Sequence, residues 1–256
     1  MRNFAFAALA SMVIATPAFA EDGAWTGLYG GITAGYNAAK SDSTVVLGGQ
    51  WAAEPTATQT LVTTNFSTKQ DVNGGNIGAN IGYLYQTGNL VMGLEIEAAS
   101  IGGNETRSSG LVTVSANQNY TFTNTIDPKS MVDVKVRLGA AISDKTLIYA
   151  NAGWAWVSAN HSAGVTGAYG LLVNGNYKKL GDLSKAHNGF IVGLGLEQKL
   201  DSHFSIRGQY EYSDQGHVSY TTAYLPNSIL TSPAYSETVN QNLRLHLFRV
   251  GVSYHY

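Results

Sequence analysis

The sequence contains no cysteine, so no disulfide holds the fold and neither thiol chemistry nor a paired-cysteine metal site is available to it. Charge is also scarce: Asp, Glu, Lys and Arg make up 12% of the 256 residues, against about 25% in an ordinary soluble domain. Hydrophobicity does not replace it, since mean hydropathy is −0.06. Beyond the N-terminal segment no run of 18 apolar residues occurs, which excludes a transmembrane helix there. A formal net charge of −2 gives no electrostatic basis for binding nucleic acid. HExxH, GxSxG and phosphate-loop motifs are absent from the chain, so the common hydrolase and nucleotide signatures are missing. DVNGGN, residues 71–76, lacks the glycine and glutamate of a calcium loop.

What the sequence does hold is glycine (29), tyrosine (15) and small polar residues. Residues 1–20, MRNFAFAALASMVIATPAFA, place Arg2 before an apolar stretch and end in Ala18-Phe19-Ala20. This pattern predicts a cleaved secretory signal peptide, with 21–256 as the single mature domain.

The mature region is dominated by a period of two, the mark of strands. Eight segments carry it: 25–36, 75–85, 90–101, 131–142, 146–157, 188–199, 204–213 and 243–256. Each reaches or slightly exceeds the roughly 9 to 11 residues with which a tilted strand crosses a bilayer. Between them, short connections (86–89, 143–145, 200–203) alternate with long ones (37–74, 102–130, 158–187, 214–242). Pro55, Pro128, Pro226 and Pro233 all fall in the long connections, where a missing N–H deletes no ladder bond. The alternation predicts an all-β, eight-stranded antiparallel up-and-down transmembrane β-barrel with four long extracellular loops and three short periplasmic turns. A soluble, lipocalin-like barrel with the apolar face inward is the competing fold.

The faces argue for the membrane. One set is apolar and bulky, for example Ile77, Ile81, Tyr83, Tyr85, Leu94, Val134, Trp154, Trp156, Leu194 and Tyr210. The other collects glycines together with Glu95, Glu97, Asp133, Lys135, Arg137, Glu197, Lys199, Arg207, Glu211 and Arg249, five acids and five bases. An eight-stranded lumen has room only for side chains, so the glycine-rich charged face is expected inside as a paired lumen network. The tail Phe248, Val250, Val252, Tyr254 and Tyr256 is then expected to face lipid. Turning Arg249 outward near the bilayer midplane would cost about 2 to 4 kcal/mol.

Both ends of the chain resemble a known family. WTGLYGGITAGYN, residues 25–37, after a signal peptide, resembles the first strand of small outer-membrane β-barrel proteins of alphaproteobacteria, the opacity-like and porin-like immunogenic surface proteins. LFRVGVSYHY, residues 247–256, resembles their closing strand, with Tyr256 where phenylalanine is usual. The resemblance implies a protein surrounded by outer-membrane lipid and lipopolysaccharide. It also implies insertion by the barrel-assembly machinery, which reads the last strand, so that Phe248, Val250, Val252, Tyr254 and Tyr256 form the assembly signal. Some relatives bind haemin, for which the loops offer His161, His187, His217, Tyr120, Tyr169, Tyr177, Tyr220, Tyr224 and Tyr235 as axial-ligand types. No ligand motif singles any of them out, and no other cofactor or metal is expected.

Function is therefore expected to be structural and surface-interactive, through envelope integrity and contact of the loops with host or surface ligands, and not enzymatic. A narrow porin-like diffusion channel is the alternative, and a haemin-binding surface protein a third reading. A fourth rests on His217 and Ser219, two residues apart as in lipid A deacylases, where histidine activates a serine nucleophile; Glu237 is the candidate third member.

Overall fold

The computed structural model describes residues 23–169 (without the Tyr169 side chain), 177–226, 228 and 235–256. The signal segment 1–20 and Pro233 lie outside the described residues. Eight long strands form the molecule: β1 (Gly27–Gly49), β2 (Thr68–Thr87), β3 (Leu90–Ile101), β4 (Gln118–Ser143), β5 (Thr146–Tyr169), β6 (Tyr177–Lys199), β7 (Phe204–Thr221) and β8 (Tyr235–His255). Each pairs antiparallel with its neighbours in sequence, and β1 pairs with β8 to close the ring. The tight turns between β2 and β3, β4 and β5, and β6 and β7 share one rim. In the first of them Gly88 takes a φ of 57°, left-handed backbone that favours glycine.

The strands begin and end where expected on the short-turn rim but run much further on the other. β4 has 26 residues and β5 has 24, more than twice what a bilayer requires. The segments expected as long loops are thus largely sheet. Pro128 accordingly sits within β4 and not in a loop, at a register shift between Pro128 and Ser130, where a disrupted ladder tolerates a residue without an N–H.

Polarity inverts along β8 and β5. On β8, Phe248, Val250, Val252 and Tyr254 lie on the outer wall, as does Tyr256 just past its end, and Arg249 is buried inside. Four residues upstream the assignment is reversed: Leu243, Leu245 and Leu247 are fully buried, while Arg244 and His246 are partly exposed outside. β5 inverts after Trp156, with Val157, Ala159, Ala163 and Val165 inside and Ser158, Asn160 and Thr166 outside. A barrel wall that is apolar outside in one half and polar outside in the other has lipid around the first half and water around the second. Aromatic side chains mark both edges of the apolar band: Tyr85, Phe204, Tyr254 and Tyr256 near the short turns, Tyr36, Trp154, Trp156 and Phe190 at the far side.

The far mouth is closed by the connection between β1 and β2. After a single 3-10 turn at Gln50–Ala53 comes α1 (Thr56–Phe66), preceded by Pro55. Val62 and Phe66, four residues apart and so on one helix face, are fully buried in the mouth with Trp51. Phe66 stacks on Phe122 at 4.8 Å, and Trp51 meets Tyr235 at 4.7 Å and Tyr120 at 5.7 Å edge-on. Two short strands, Glu105–Ser108 and Val112–Ser115, pair antiparallel with β4 one after the other and continue the β3 edge toward the far rim.

Candidate functional site

The interior is stacked in layers, and the charged one lies at the level of the lipid-facing band. Below it, toward the short turns, Trp25, Tyr29, Leu84, Val91, Leu147 and Tyr149 form an apolar floor. Above it Ile101, Ile126, Met131, Val157, Ile191 and Leu247 form a second apolar layer. The alternation that sends Ile96 and Val136 outward sends Glu95, Glu97, Lys135 and Arg137 inward, and register places Glu95 opposite Lys135 on adjacent strands.

Lys135 is the hub. Its Nζ lies 2.8 Å from Glu211, 2.9 Å from Glu97, 3.1 Å from Asp133 and 3.3 Å from Glu95. Arg249 bridges Glu97 (3.0 Å) and Glu211 (2.8 Å), Arg207 holds Glu95 at 2.5 Å, and Arg137 holds Glu197 at 2.8 Å. Neutral groups complete the net: Tyr29 donates to Glu95, Thr33 to Glu97 and Ser205 to Glu197. Arg137 also lies 3.8 Å from the centroid of the Tyr149 ring. These five carboxylates and four cations are at most 3% exposed.

Glycine makes the room. A Cβ on Gly82 would meet the Tyr29 hydroxyl at 2.4 Å, and one on Gly195 the Tyr149 ring at 2.3 Å. The two tyrosines that touch Arg137 thus lie flat over positions without side chains.

Nine of the ten charges expected in the lumen come together in this layer. The tenth, Lys199, does not. It sits partly exposed at the short-turn rim, where its ammonium bonds the Ala24 carbonyl and lies 5.0 Å from the Trp25 ring centroid. It stands at the very end of β6, one residue from the turn, so its long side chain leaves the lumen instead of entering it.

A second ion pair was not legible as such. Lys179 and Glu237, both 0% exposed at the side chain, meet at 2.5 Å beneath the helix in the mouth. Trp51 Nε1 donates to Glu237 at 2.8 Å, Thr222 also donates to it, and Lys179 Nζ lies 5.0 Å from the Tyr224 ring centroid. Burial pulls the Lys179 ammonium below its ordinary range, against the pull of Glu237 beside it. The only sequence signal was the inverted alternation of 235–247, in which Glu237 takes an inward position.

Those contacts correct the proposed His217, Ser219, Glu237 constellation. Ser219 faces outward and donates to Asn240, whereas Glu237 is sealed inside on the opposite face of the sheet. Of the haem-ligand types, His161, His187, Tyr120, Tyr177, Tyr220 and Tyr235 are buried inside the barrel; His217 is exposed, Tyr224 is half-buried, and the Tyr169 side chain lies outside the described residues. Among the described residues no three His, Cys, Asp or Glu side chains converge as a metal site. A cavity of about 690 Å³ is lined chiefly by outward-facing Ile32, Ala34, Ile77, Ile206, Val250 and Val252, so it opens toward lipid and not along the axis.

The profile of the outer membrane protein beta-barrel domain matches residues 6–256. The chain belongs to that family. It is an outer-membrane protein, and its lipid-facing band is the membrane-spanning part. It is 27% identical over 180 residues, 70% of this chain and 67% of the relative, to an uncharacterized protein of Coxiella burnetii (strain RSA 493 / Nine Mile phase I). Solved structures similar to it include Ail, the attachment invasion locus protein of Yersinia pestis, at 14% identity and a TM-score of 0.34 over 90% of this chain and 99% of that one. OprG from Pseudomonas aeruginosa matches at 14% identity and a TM-score of 0.42 over 91% and 99%.

Proposed function

We propose that this barrel is a closed, non-conducting structural and surface protein of the outer membrane, whose sheet extends far beyond the bilayer to present an interaction surface. The observation that carries the reading is the charged layer: a dehydrated Lys135 held by four carboxylates blocks the axis. Opening it would strand buried charges, at about 3 to 5 kcal/mol for a broken pair. Two apolar layers and the Trp51 mouth stand in series with it.

In this reading lipopolysaccharide and outer-membrane lipid surround the band, and the barrel-assembly machinery engages Phe248, Val250, Val252, Tyr254 and Tyr256. Host or surface ligands meet the polar extracellular wall. Kinship with the opacity-like, porin-like and haemin-binding alphaproteobacterial proteins belongs to the same proposal. If haemin is taken, the exposed His217 is the ligand best placed for it. The diffusion-channel alternative requires the whole stack to rearrange.

Liposome swelling tests the reading. Vesicles carrying the refolded barrel should swell in arabinose no faster than protein-free vesicles. Swelling comparable to that of a general porin would replace the plug with a pore.

A further inference from the structure

The ladder that closes the ring in the membrane does not close it above. β6 and β7 pair from Lys199↔Ser205 up to Phe190↔Asp214 and then share no rung until Leu180↔Ala223, although β6 stays paired with β5 as far as Tyr177 and β7 with β8 as far as Thr221. Across the ring, β2 and β3 pair up to Asn76↔Ile101. Beyond that rung, residues 68–75 of β2 pair with β1 alone, and the two short strands that follow β3 pair with β4 alone. Both breaks begin at the outer edge of the apolar band, marked by Phe190 and by Tyr36 opposite Gly75. Hydrocarbon does not tolerate an unpaired sheet edge, whereas water can satisfy one. Two seams on opposite sides thus divide the extracellular half into two sheets, each four strands wide: β7, β8, β1 and β2 in one, and β6, β5, β4 and the short strands in the other.

Side chains hold these two sheets together. Lys179 of one meets Glu237 of the other at 2.5 Å, and His161 Nδ1 lies 3.1 Å from Gln241 Oε1. Gln70 Nε2 crosses the β2 seam, donating to the Glu105 and Asn124 carbonyls at 3.1 and 2.9 Å. Trp51 and Phe66, carried between β1 and β2, lie against Tyr120 and Phe122 of the opposite sheet. At the rim the backbone adds a short strap, Ala223–Tyr224, which reaches from the end of β7 to pair with β6. Each sheet also has a register shift near the band, at Pro128/Ser130 in one and Asn242/Arg244 in the other, and such irregularities let strands bend. We propose that the extracellular half is a clamp, whose two sheets bend at these shifts and part along both seams, with Lys179, Glu237 and the Ala223–Tyr224 strap as the latch. Parting uncovers an aromatic face on each jaw, Tyr120, Phe122 and Tyr177 on one and Trp51, Phe66 and Tyr235 on the other. The plug need not open, because Glu97 and Glu211 lie below the last rungs at which the ring is complete.

The chain has no cysteine, so spin labels can be placed on the full refolded barrel at chosen pairs of sites. Thr44 on β1 and Thr166 on β5 are exposed on opposite jaws, while Ala34 and Ala152, on the same two strands, are exposed within the band. Double electron–electron resonance on Thr44→Cys with Thr166→Cys should give one main distance in the otherwise wild-type chain. Glu237→Gln, which removes the charge from the latch, should add a population longer by about 5 Å, one strand spacing, or more. The distance between labels on Ala34→Cys and Ala152→Cys should stay fixed. If Glu237→Gln does not refold, Trp51→Ala takes its place, because it removes the ring against Tyr120 and the bond to Glu237. A longer population already present in the wild type also supports the clamp. A single upper distance that release of the latch leaves unchanged would overturn it and make the extracellular half one continuous tube. An equal shift in the band pair would overturn it as well, since the whole barrel would then have loosened.

Discussion

At Lys135 one ammonium faces Glu95, Glu97, Asp133 and Glu211 in a space closed to solvent. Removing it leaves four carboxylates to repel one another. Lys135→Met is therefore expected to lower unfolding stability by at least about 3 to 5 kcal/mol, read from the urea midpoint of the heat-modifiable band, the folded form whose gel mobility shifts on boiling. Lys199→Met should change it by less than about 1 kcal/mol, because its partners are a carbonyl and a ring at the rim. At Gly195 the effect is steric: Gly195→Val should displace Tyr149 from beneath Arg137 and cost about 1 to 3 kcal/mol. Which residues turn inward was legible in this half because alternation is strict and most of the inward charges, Glu95, Glu97, Asp133, Lys135, Arg137, Glu211 and Arg249, stand between two apolar outward residues. Lys199 was not separable from the others by alternation, since its escape depends on where β6 stops. Who pairs with whom depends on register around the ring, which a single strand does not carry.

Strand by strand, the account rests on inversion of polarity at the membrane edge. Val250→Arg, on the lipid side of β8, should destabilise the barrel by about 2 to 4 kcal/mol, whereas Asn240→Arg, ten residues earlier on the outer face, should be nearly neutral. Yields of folded barrel in lipid vesicles separate the two. The extended strands look like loops in the sequence because their outward residues are Ser, Thr, Asn and Lys and their inward ones small or mixed, so the apolar stripe changes face. Within 243–256, Leu243, Leu245 and Leu247 in alternation with Arg244 and His246 carry the signal of that inversion. β5 and β6 also set a pH response. Burial first, then the neighbouring His161 and Lys185, hold the His187 imidazole down to about 4, and burial lowers His161. A depressed folded value means that the unfolded chain binds protons more readily, so this contribution to stability is intact above about 6.5 and falls as pH drops toward 4. Urea midpoints between pH 7.5 and 4.5 should fall less in His187→Gln than in the wild type.

The molecule as a whole is a tube filled along its length. Closure of the ring and the side to which the turns belong follow from spacing alone, and so were legible. The inward fold of 50–66 was not, because Trp51, Val62 and Phe66 are too few to mark a buried helix until the mouth they fill is known. Trp51→Ala removes two edge-on ring pairs and the Nε1 bond to Glu237. It should make the α1 connection cleavable by external protease while the heat-modifiable band persists, since the plug below is independent of it. The central claim is that the charged layer seals the barrel, and single-channel recording of the refolded wild type in a planar bilayer tests it most directly. The account predicts a flat baseline at moderate voltage in molar salt. Steady, ohmic, protein-dependent steps would contradict it and make the interior a conducting path.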